Sequence, residues 1–369
     1  MKVIIDTNII YGDFHLTGAK ILNLCTSVES TGGEVFVPEI VLMESINQYR
    51  ERIQDAKNKI SKGLNDIKRT TRKSIPKSPI TDEDVKKEII EYDKSLHSRV
   101  RSLGITILPI PNTPHKKLLE IDLARKKPFT PTGKGYRDAL IWENVKELCR
   151  TPKSLEKPSV VFVNDNYTDF CDKEYNLHDD LKEDLAGDSI NADCVRVVKD
   201  VDTFINEFIK PKQKILEDIK IALNKERRYG DVDLQTEVDE LVLNYLDMRE
   251  FDEYDSPFGP AYESPSVVGV GEASFTVTDV RQLSEDEIII DLVAGVECEF
   301  YFTVFRSEVI AMSSEEMPHI VNADWNKHYV QASDNAEVYL NISLIVDKAF
   351  TGIQSDDIDI ITKHDAWVD

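Results

Sequence analysis

The apolar and polar positions at the start of the chain alternate in short blocks. Val3-Ile4-Ile5 is a compact apolar run closed by Asp6-Thr7-Asn8, which predicts a short buried strand with a carboxylate at its C-terminal end. From Thr17 to Ser30 the apolar residues fall at helical spacing, with Ile21, Leu22, Leu24 and Cys25 inward, and Gly32-Gly33 ends the helix. Glu34-Val35-Phe36-Val37 predicts a second strand, and Pro38 stands where a first helical residue tolerates proline. Ile40, Val41, Ile46, Tyr49, Ile53, Ala56, Ile60, Leu64 and Ile67 then keep a helical period for roughly eight turns. Ser74–Ile80, with Pro76 and Pro79, breaks that pattern. Thr81-Asp82-Glu83-Asp84 predicts a capping box opening a second long helix, to about Leu103. The two helices together predict an antiparallel arm projecting from an α/β body.

The alternation resumes beyond the arm. Strands are predicted over Ile105–Pro109, Ser159–Val163 and Cys194–Val198, and helices over His115–Lys126, Ala139–Val145 and Asp179–Leu185. Strand and helix in turn, at these lengths, predict a right-handed parallel α/β sheet. Helical patterns over Val201–Ile209, Lys212–Tyr229 and Leu234–Phe251 follow, and Asp252–Pro265 reads as a linker with three prolines. Alternating, β-branched runs then occupy Ser274–Val280, Glu287–Val293, Val296–Thr303, His328–Gln331 and Ala336–Ile345. The expected division is an α/β domain over 1–205 with a helical insertion at about 48–103, an acidic helical linker over 206–263, and a smaller β-rich domain over 264–369.

Composition changes this picture in two places. A length of 369 residues exceeds what one core serves, in keeping with more than one domain. The net charge of −23 argues against nucleic acid as a partner until it is divided along the chain. Residues 1–150 carry 26 Lys+Arg against 20 Asp+Glu, net +6, which leaves 19 against 48, net −29, for the remainder. The first part suits a polyanion and the second repels one. The five cysteines are scattered with no CxxC pair, which fits a reducing cytosol rather than a disulfide framework or a thiolate zinc site. With no apolar run of membrane-spanning length and no signal-peptide layout, a cytoplasmic location is expected.

The candidate chemistry is acidic. Asp6, Glu44, Asp138 and Asp165, with Asp169 nearby, each fall at the end of a predicted strand or the start of a predicted helix, on one rim of the sheet. Clustered carboxylates repel one another unless a cation neutralises them, and oxygen-only donors select hard ions such as Mg²⁺ or Mn²⁺. Two such ions form the clamp of metal-assisted phosphodiester hydrolysis. For Asp138 the plainer reading, a charge favoured by its helix N-terminus, carries equal weight. Gly133-Lys134-Gly135 lacks the spacing of a phosphate-binding P-loop. The basic side chains Lys57, Lys62, Lys68, Arg69, Arg72 and Lys73 on the arm, with Lys134 and Arg137, are candidate RNA contacts; a solvated helix face explains the arm lysines equally well.

Four stretches together resemble the PIN domain, a nuclease family: Val3–Asn8, Val37–Glu44, Tyr136–Trp142 and Val161–Phe170, in the family's order. The resemblance implies a Rossmann-like sheet and metal-dependent endoribonuclease action on single-stranded or structured RNA, such as tRNA. It implies Asp6, Glu44, Asp138 and Asp165 as catalytic metal holders using two Mg²⁺ or Mn²⁺ ions. Asp169 would assist, and Asn8 or Asn164 would line the site. Whether Asp165 or Asp169 is the nearer ligand stays open. The arm is longer than in compact toxin members of the family, and nothing in the resemblance extends to residues 265–369. Through that part a protein partner or regulatory ligand is open, as is self-association. An acidic C-terminal half that restrains the nuclease would fit a toxin or antiviral effector.

Two readings from other classes compete. One is a catalytically silent PIN-like scaffold acting as a protein- or RNA-binding module in a complex. The other is a phosphohydrolase of the haloacid-dehalogenase type, which needs a second aspartate where this chain has Asn8.

Overall fold

Strand β1 (Lys2–Ile5) is buried at every position, with Val3, Ile4 and Ile5 almost wholly out of solvent. A strand covered on both faces belongs in the middle of a parallel sheet flanked by helices. It has parallel neighbours on both sides: β2 (Glu34–Pro38) through Val3 opposite Val35, and β4 (Val160–Val163) through Val3 opposite Val161. With β3 (Thr106–Leu108) and β5 (Val195–Val198) the sheet has five strands in the order β3-β2-β1-β4-β5. The computed structural model describes residues 1–369 except 75–79, 151–156, 253–254, 259–260, 285, 314–316 and 362–369. It divides into two compact units, Met1–Gln213 and Lys214–Asp369.

The strand order fixes where a ligand belongs. The chain leaves β1 toward β2 on one side and returns as β4 on the other, so the connections that follow β1 and β4 run to opposite sides. In open α/β sheets the crevice outside that switch point is the usual binding site. The backbone ties β1 to β4 at this point, where Asp6 N donates to Val163 O at 3.2 Å, and ties β4 to β5 beside it, where Asn164 N donates to Val198 O at 2.9 Å.

Helices α1 (Thr7–Tyr11) and α2 (Ala19–Ser30) follow β1, and α3 (Glu39–Thr71) starts directly after β2. Only the first turns of α3 are buried, through Ile40, Val41, Leu42 and Ser45, and the rest projects. Helix α4 (Asp82–Ser102) runs back beside it, opened by the expected capping box between Thr81 and Asp84. Stacking of Tyr49 on Tyr92 at 3.8 Å joins the two helices near the body. Tyr92 Oη and Arg99 Nε tie α4 to the loop after α1, donating to Phe14 O and Leu16 O at 3.0 Å each. The arm is thus rigidly seated at its base. Pro76 and Pro79, expected to break the helical pattern, lie outside the described residues.

Helices α5 (His115–Leu123), α6 (Tyr136–Arg150) and α7 (Asp179–Gly187) complete the first unit. Ten of the 15 residues of α6 are buried, including Glu143 and Lys146, so it is a core helix and not a surface one. Beyond β5 the chain is helical through α8 (Val201–Phe204), a π turn over Ile205–Ile209 and α9 (Lys210–Glu226).

The second unit is built on a mostly antiparallel sheet. Two two-residue strands, β6 (Arg228–Tyr229) and β7 (Val232–Asp233), precede α10 (Leu234–Leu246). Strands β8 (Tyr262–Gln282) and β9 (Glu287–Phe305) are joined to β11 (Tyr329–Asp347) by α11 (Arg306–Ala311) and the short β10 (His319–Asn322). Strand β11 pairs with β9 on one side and with β10 and β12 (Ile353–Ile361) on the other. Every second residue of β9 from Ile288 to Val304 is buried, as a sheet with one dry face requires. Leu216, Ile219 and Leu223 of α9 and Leu234, Val238, Val242 and Leu246 of α10 share that core. The two helices expected within the acidic helical linker over 206–263 pack in this core, and the chain divides into its two compact units after Gln213. No helix among the described residues is long and apolar enough to cross a membrane.

Candidate metal centre

Three acids come to the switch-point crevice from three different segments. Asp6 caps β1 and precedes α1, Glu44 is in the second turn of α3, and Asp138 is in the first turn of α6. Asp6 is 7% exposed. Burial pushes its carboxyl up to about 7, and the charges of Asp138 and Glu44 add to that effect. Asp138 is pushed up to about 6, again mainly by burial, with Asp169 and Glu44 contributing and Arg137 opposing. Such mutual repulsion between carboxylates in a poorly solvated crevice is the condition a cation relieves.

Two further acids, Asp165 and Asp169, lie on the loop after β4. Asp169 closes a short 3₁₀ turn after β4 and its charge acts on Asp138. Asp165 is exposed on the same loop. The loop is self-supporting: Asn164 Oδ1 accepts from Asn166 N at 2.7 Å, and Asn166 Nδ2 donates to Asp169. Asn164 is 1% exposed, also accepts from Asn8 Nδ2 at 3.4 Å, and has an Nδ2 with no hydrogen-bond partner among the described residues. The two asparagines expected to line the site are thus in contact with each other, Asn8 from the exposed side.

Thr7 and Gln48 had no part in the sequence expectation. The Thr7 hydroxyl lies 3.4 Å from Asp6 Oδ1 and 3.3 Å from Glu44 Oε2, bridging two of the acids. Gln48 Nε2 is 3.4 Å from Glu44 Oε1. A small hydroxyl directly after the first acid was the only signal in the sequence for Thr7. The acid-bearing helices also expose large apolar side chains, among them Tyr11, Met43 and Tyr136.

Among the described residues no three Asp, Glu, His or Cys side chains lie close enough together to hold a metal ion. Both Glu44 oxygens are already engaged, Oε1 by Arg137 Nη1 at 2.5 Å and by Gln48, and Oε2 by Thr7. The donor chemistry nevertheless fits a hard divalent cation, since the donors are all oxygens and two of the carboxyls stand well above their usual range. Glu44, Asp6, Asp138 and Asp169 would be the ligands.

The basic candidates separate into two groups. Lys57, with a side chain 13% exposed, is held in an ion pair with Asp82 across the arm. Its work is to fasten α3 to α4, because a charge already paired has less to offer a phosphate. Lys62, Lys68, Arg69, Arg72, Lys73 and Lys134 are solvent-exposed, and Arg137 is bound to Glu44.

The first unit is a parallel α/β domain that brings acids to the strand switch point of its sheet. Residues 3–170 match the family model of the PIN domain, and the first unit carries a PIN domain. PIN domains are typically nucleases; those nucleases generally use divalent metals, and the family generally binds nucleic acid. No curated protein matches the chain, and no solved structure does.

The raised carboxyls give the metal-free protein a pH signature. A folded-state carboxyl near 7, against an ordinary 3.8, binds its proton more tightly folded than unfolded. The stabilisation this gives is complete below the ordinary value and is lost as pH rises through about 7. In chelator, the unfolding midpoint is expected to rise as pH falls from 8 to 5.5. Saturating Mn²⁺ should flatten that slope, a difference that calorimetry in the two buffers reads directly.

Proposed function

We propose that this protein is a metal-dependent endoribonuclease whose site is formed by Asp6, Glu44, Asp138 and Asp169, with Asp165 at the rim. The observation that carries the reading is that Asp6, Glu44 and Asp138, from three segments far apart in the chain, act on one another's charge at the switch point of a PIN domain sheet. Bound Mg²⁺ or Mn²⁺, one ion or two, would supply an activated water and a counter-charge for the leaving oxygen. The chain's own residues do the rest. Thr7 fixes the relative position of Asp6 and Glu44. Asn164 holds the loop after β4 and contacts Asn8. Tyr11, Met43 and Tyr136 give unpaired bases apolar surfaces to rest on around the acids, which supports a single-stranded substrate over a stacked duplex.

The test is cleavage of an end-labelled single-stranded RNA by the full chain with Mn²⁺, with Mg²⁺ and with chelator. Cleavage only with a divalent ion supports the reading, and no cleavage in any of the three rejects it. DNA of the same sequence in a parallel lane decides between the two nucleic acids.

The exposed cations of the arm serve as phosphate contacts in this reading. Replacing Lys62, Lys68 and Arg69 together with alanine is expected to weaken RNA binding and to flatten its salt dependence. On a single strand the log–log slope should fall by about 0.7 for each phosphate charge that is no longer neutralised. A slope unchanged from wild type would mark those side chains as a solvated helix face. The same substitution at Lys57 is expected to loosen the arm instead, because its partner is Asp82.

The silent-scaffold reading has one observation in its favour, the engagement of Glu44 by Arg137. It predicts no Mn²⁺ uptake at all, which calorimetry on the wild-type chain decides.

A further inference from the structure

Arg137 occupies an unusual position among the basic residues of the first unit. It precedes Asp138 in the opening turn of α6, yet its guanidinium reaches across to Glu44 on α3. Its side chain is 59% exposed while that of Glu44 is 17% exposed, so one end of the pair is free to leave and the other is fixed. Glu44 is held further by Thr7 and Gln48 and does not need Arg137 to stay in place. The Arg137 charge also acts on Asp138, where it is the largest influence opposing burial and the neighbouring acids. A single exposed guanidinium therefore serves as counter-ion to two of the acids.

A guanidinium binds a phosphate as readily as a carboxylate, with the same two-pronged geometry. A divalent ion and Arg137 are both cations that seek Glu44, so each lowers the affinity of the site for the other. From this we propose that Arg137 is an exchangeable internal counter-ion. It rests on Glu44 when the crevice holds no metal and transfers to a backbone phosphate of the bound strand, which releases Glu44 for the ion. The inference rests on the proposed nuclease reading and adds a coupling to it. Metal and nucleic acid would bind cooperatively, because each removes what obstructs the other. By linkage the effect is reciprocal: the strand tightens metal binding by the same factor that metal tightens strand binding. Free metal alone would then load the site poorly, and full loading would await a substrate.

Arg137→Gln removes the charge while keeping a polar side chain of similar reach. Titration calorimetry with Mn²⁺ alone on the full-length chain is the direct reading. The variant is expected to bind Mn²⁺ about tenfold more tightly than wild type, since the competing cation is gone. A 2′-O-methyl oligonucleotide, which binds without being cut, is expected to tighten Mn²⁺ binding about tenfold in wild type and to leave it unchanged in Arg137→Gln. Arg137→Lys keeps the charge and should retain the weak, strand-dependent metal binding of wild type. Equal or weaker Mn²⁺ affinity in Arg137→Gln, or coupling that survives the substitution, overturns the exchange while leaving the metal site standing. Absence of Mn²⁺ binding in wild type, with and without the oligonucleotide, overturns both the exchange and the nuclease reading. Circular dichroism and the unfolding midpoint establish that the variant is folded.

Discussion

Asp6→Asn is expected to slow RNA cleavage by at least about a hundredfold while making the metal-free protein more stable. The two effects have one origin. Asp6 is 7% exposed and sits where the charges of Asp138 and Glu44 converge. A ligand lost from a site of this kind removes several kcal/mol of transition-state stabilisation, and about 2.7 kcal/mol already amounts to a hundredfold. The same charge is a burden without a cation. A carboxyl raised to about 7 from 3.8 and ionised at pH 8 costs the fold on the order of 4 kcal/mol. Asparagine keeps the shape and carries no charge, so in chelator at pH 8 the variant should unfold at higher denaturant concentration than wild type. At pH 5, with Asp6 largely protonated, the difference should shrink. A purely structural Asp6 would give the opposite result, a less stable variant at both pH values.

The second large effect is expected away from the crevice. Lys146, in the buried stretch of α6, is 0% exposed, with Nζ 2.6 Å from Glu143 Oε1, 2.7 Å from Asp184 Oδ2 and 3.1 Å from Asp188 Oδ2. These contacts are ionic rather than well-aligned hydrogen bonds. Burial works against its charge, but the contacts with Asp184 and Glu143 outweigh burial and hold the ammonium ionised. Lys117 and Arg150 join the edge of the same cluster, at 3.0 Å from Glu143 and 2.6 Å from Asp188. Lys146→Ala leaves those carboxylates facing one another with only the peripheral cations to offset them. Breaking a buried ion pair from one side costs about 3–5 kcal/mol, so α6 should lose its tie to α7. Trp142 reports this, since its Nε1 donates to Asp184 Oδ2 at 2.8 Å. A shift in the Trp142 fluorescence transition to lower urea is expected, and an unchanged midpoint would show that Lys117 and Arg150 suffice. Because α6 also carries Asp138, the same variant should lose nuclease activity at temperatures where wild type keeps it.

Much of the first unit was legible in the sequence for a simple reason. Buried parallel strands are short and continuous in apolar residues, and Val3–Ile5, Val35–Val37 and Val160–Val163 each stand out from polar flanks. The capping box at Thr81 was legible because it is local chemistry, complete within four residues. What remained hidden depends on distance. Lys146 reads as one more helix lysine until α7 brings Asp184 and Asp188 to it. The pairing of Arg137 with Glu44 joins residues 93 apart, and the separation of Lys57 from the free cations depends on Asp82 in the next helix. Among the acids, the sequence could place Asp165 and Asp169 on one loop, but the influence of the Asp169 charge on Asp138 depends on the fold of the turn after β4.

The second unit was less legible. Its long strands were seen in pieces because Ala294-Gly295 interrupts the β-branched pattern of β9, and Asp334-Asn335 does the same in β11. The partner strand carries pairing through these points, with Gly295 opposite Tyr339 and Asp334 opposite Phe300. Strand β12 went unseen because Asp356, Asp357 and Asp359 make it look like a loop; such charges are at home on an edge strand, where they discourage further pairing. The helix α10 was expected from its spacing, and Leu234, Val238, Val242 and Leu246 form its continuous buried stripe.

The central claim is that Asp6, Glu44, Asp138 and Asp169 surround a divalent cation. Anomalous diffraction from crystals of the full chain grown with Mn²⁺ and an uncut oligonucleotide tests it most directly. A manganese peak bounded by those four carboxylates is expected, with Arg137 turned from Glu44 to a phosphate. A bound strand with no manganese in the crevice, or with the ion held elsewhere, would contradict it.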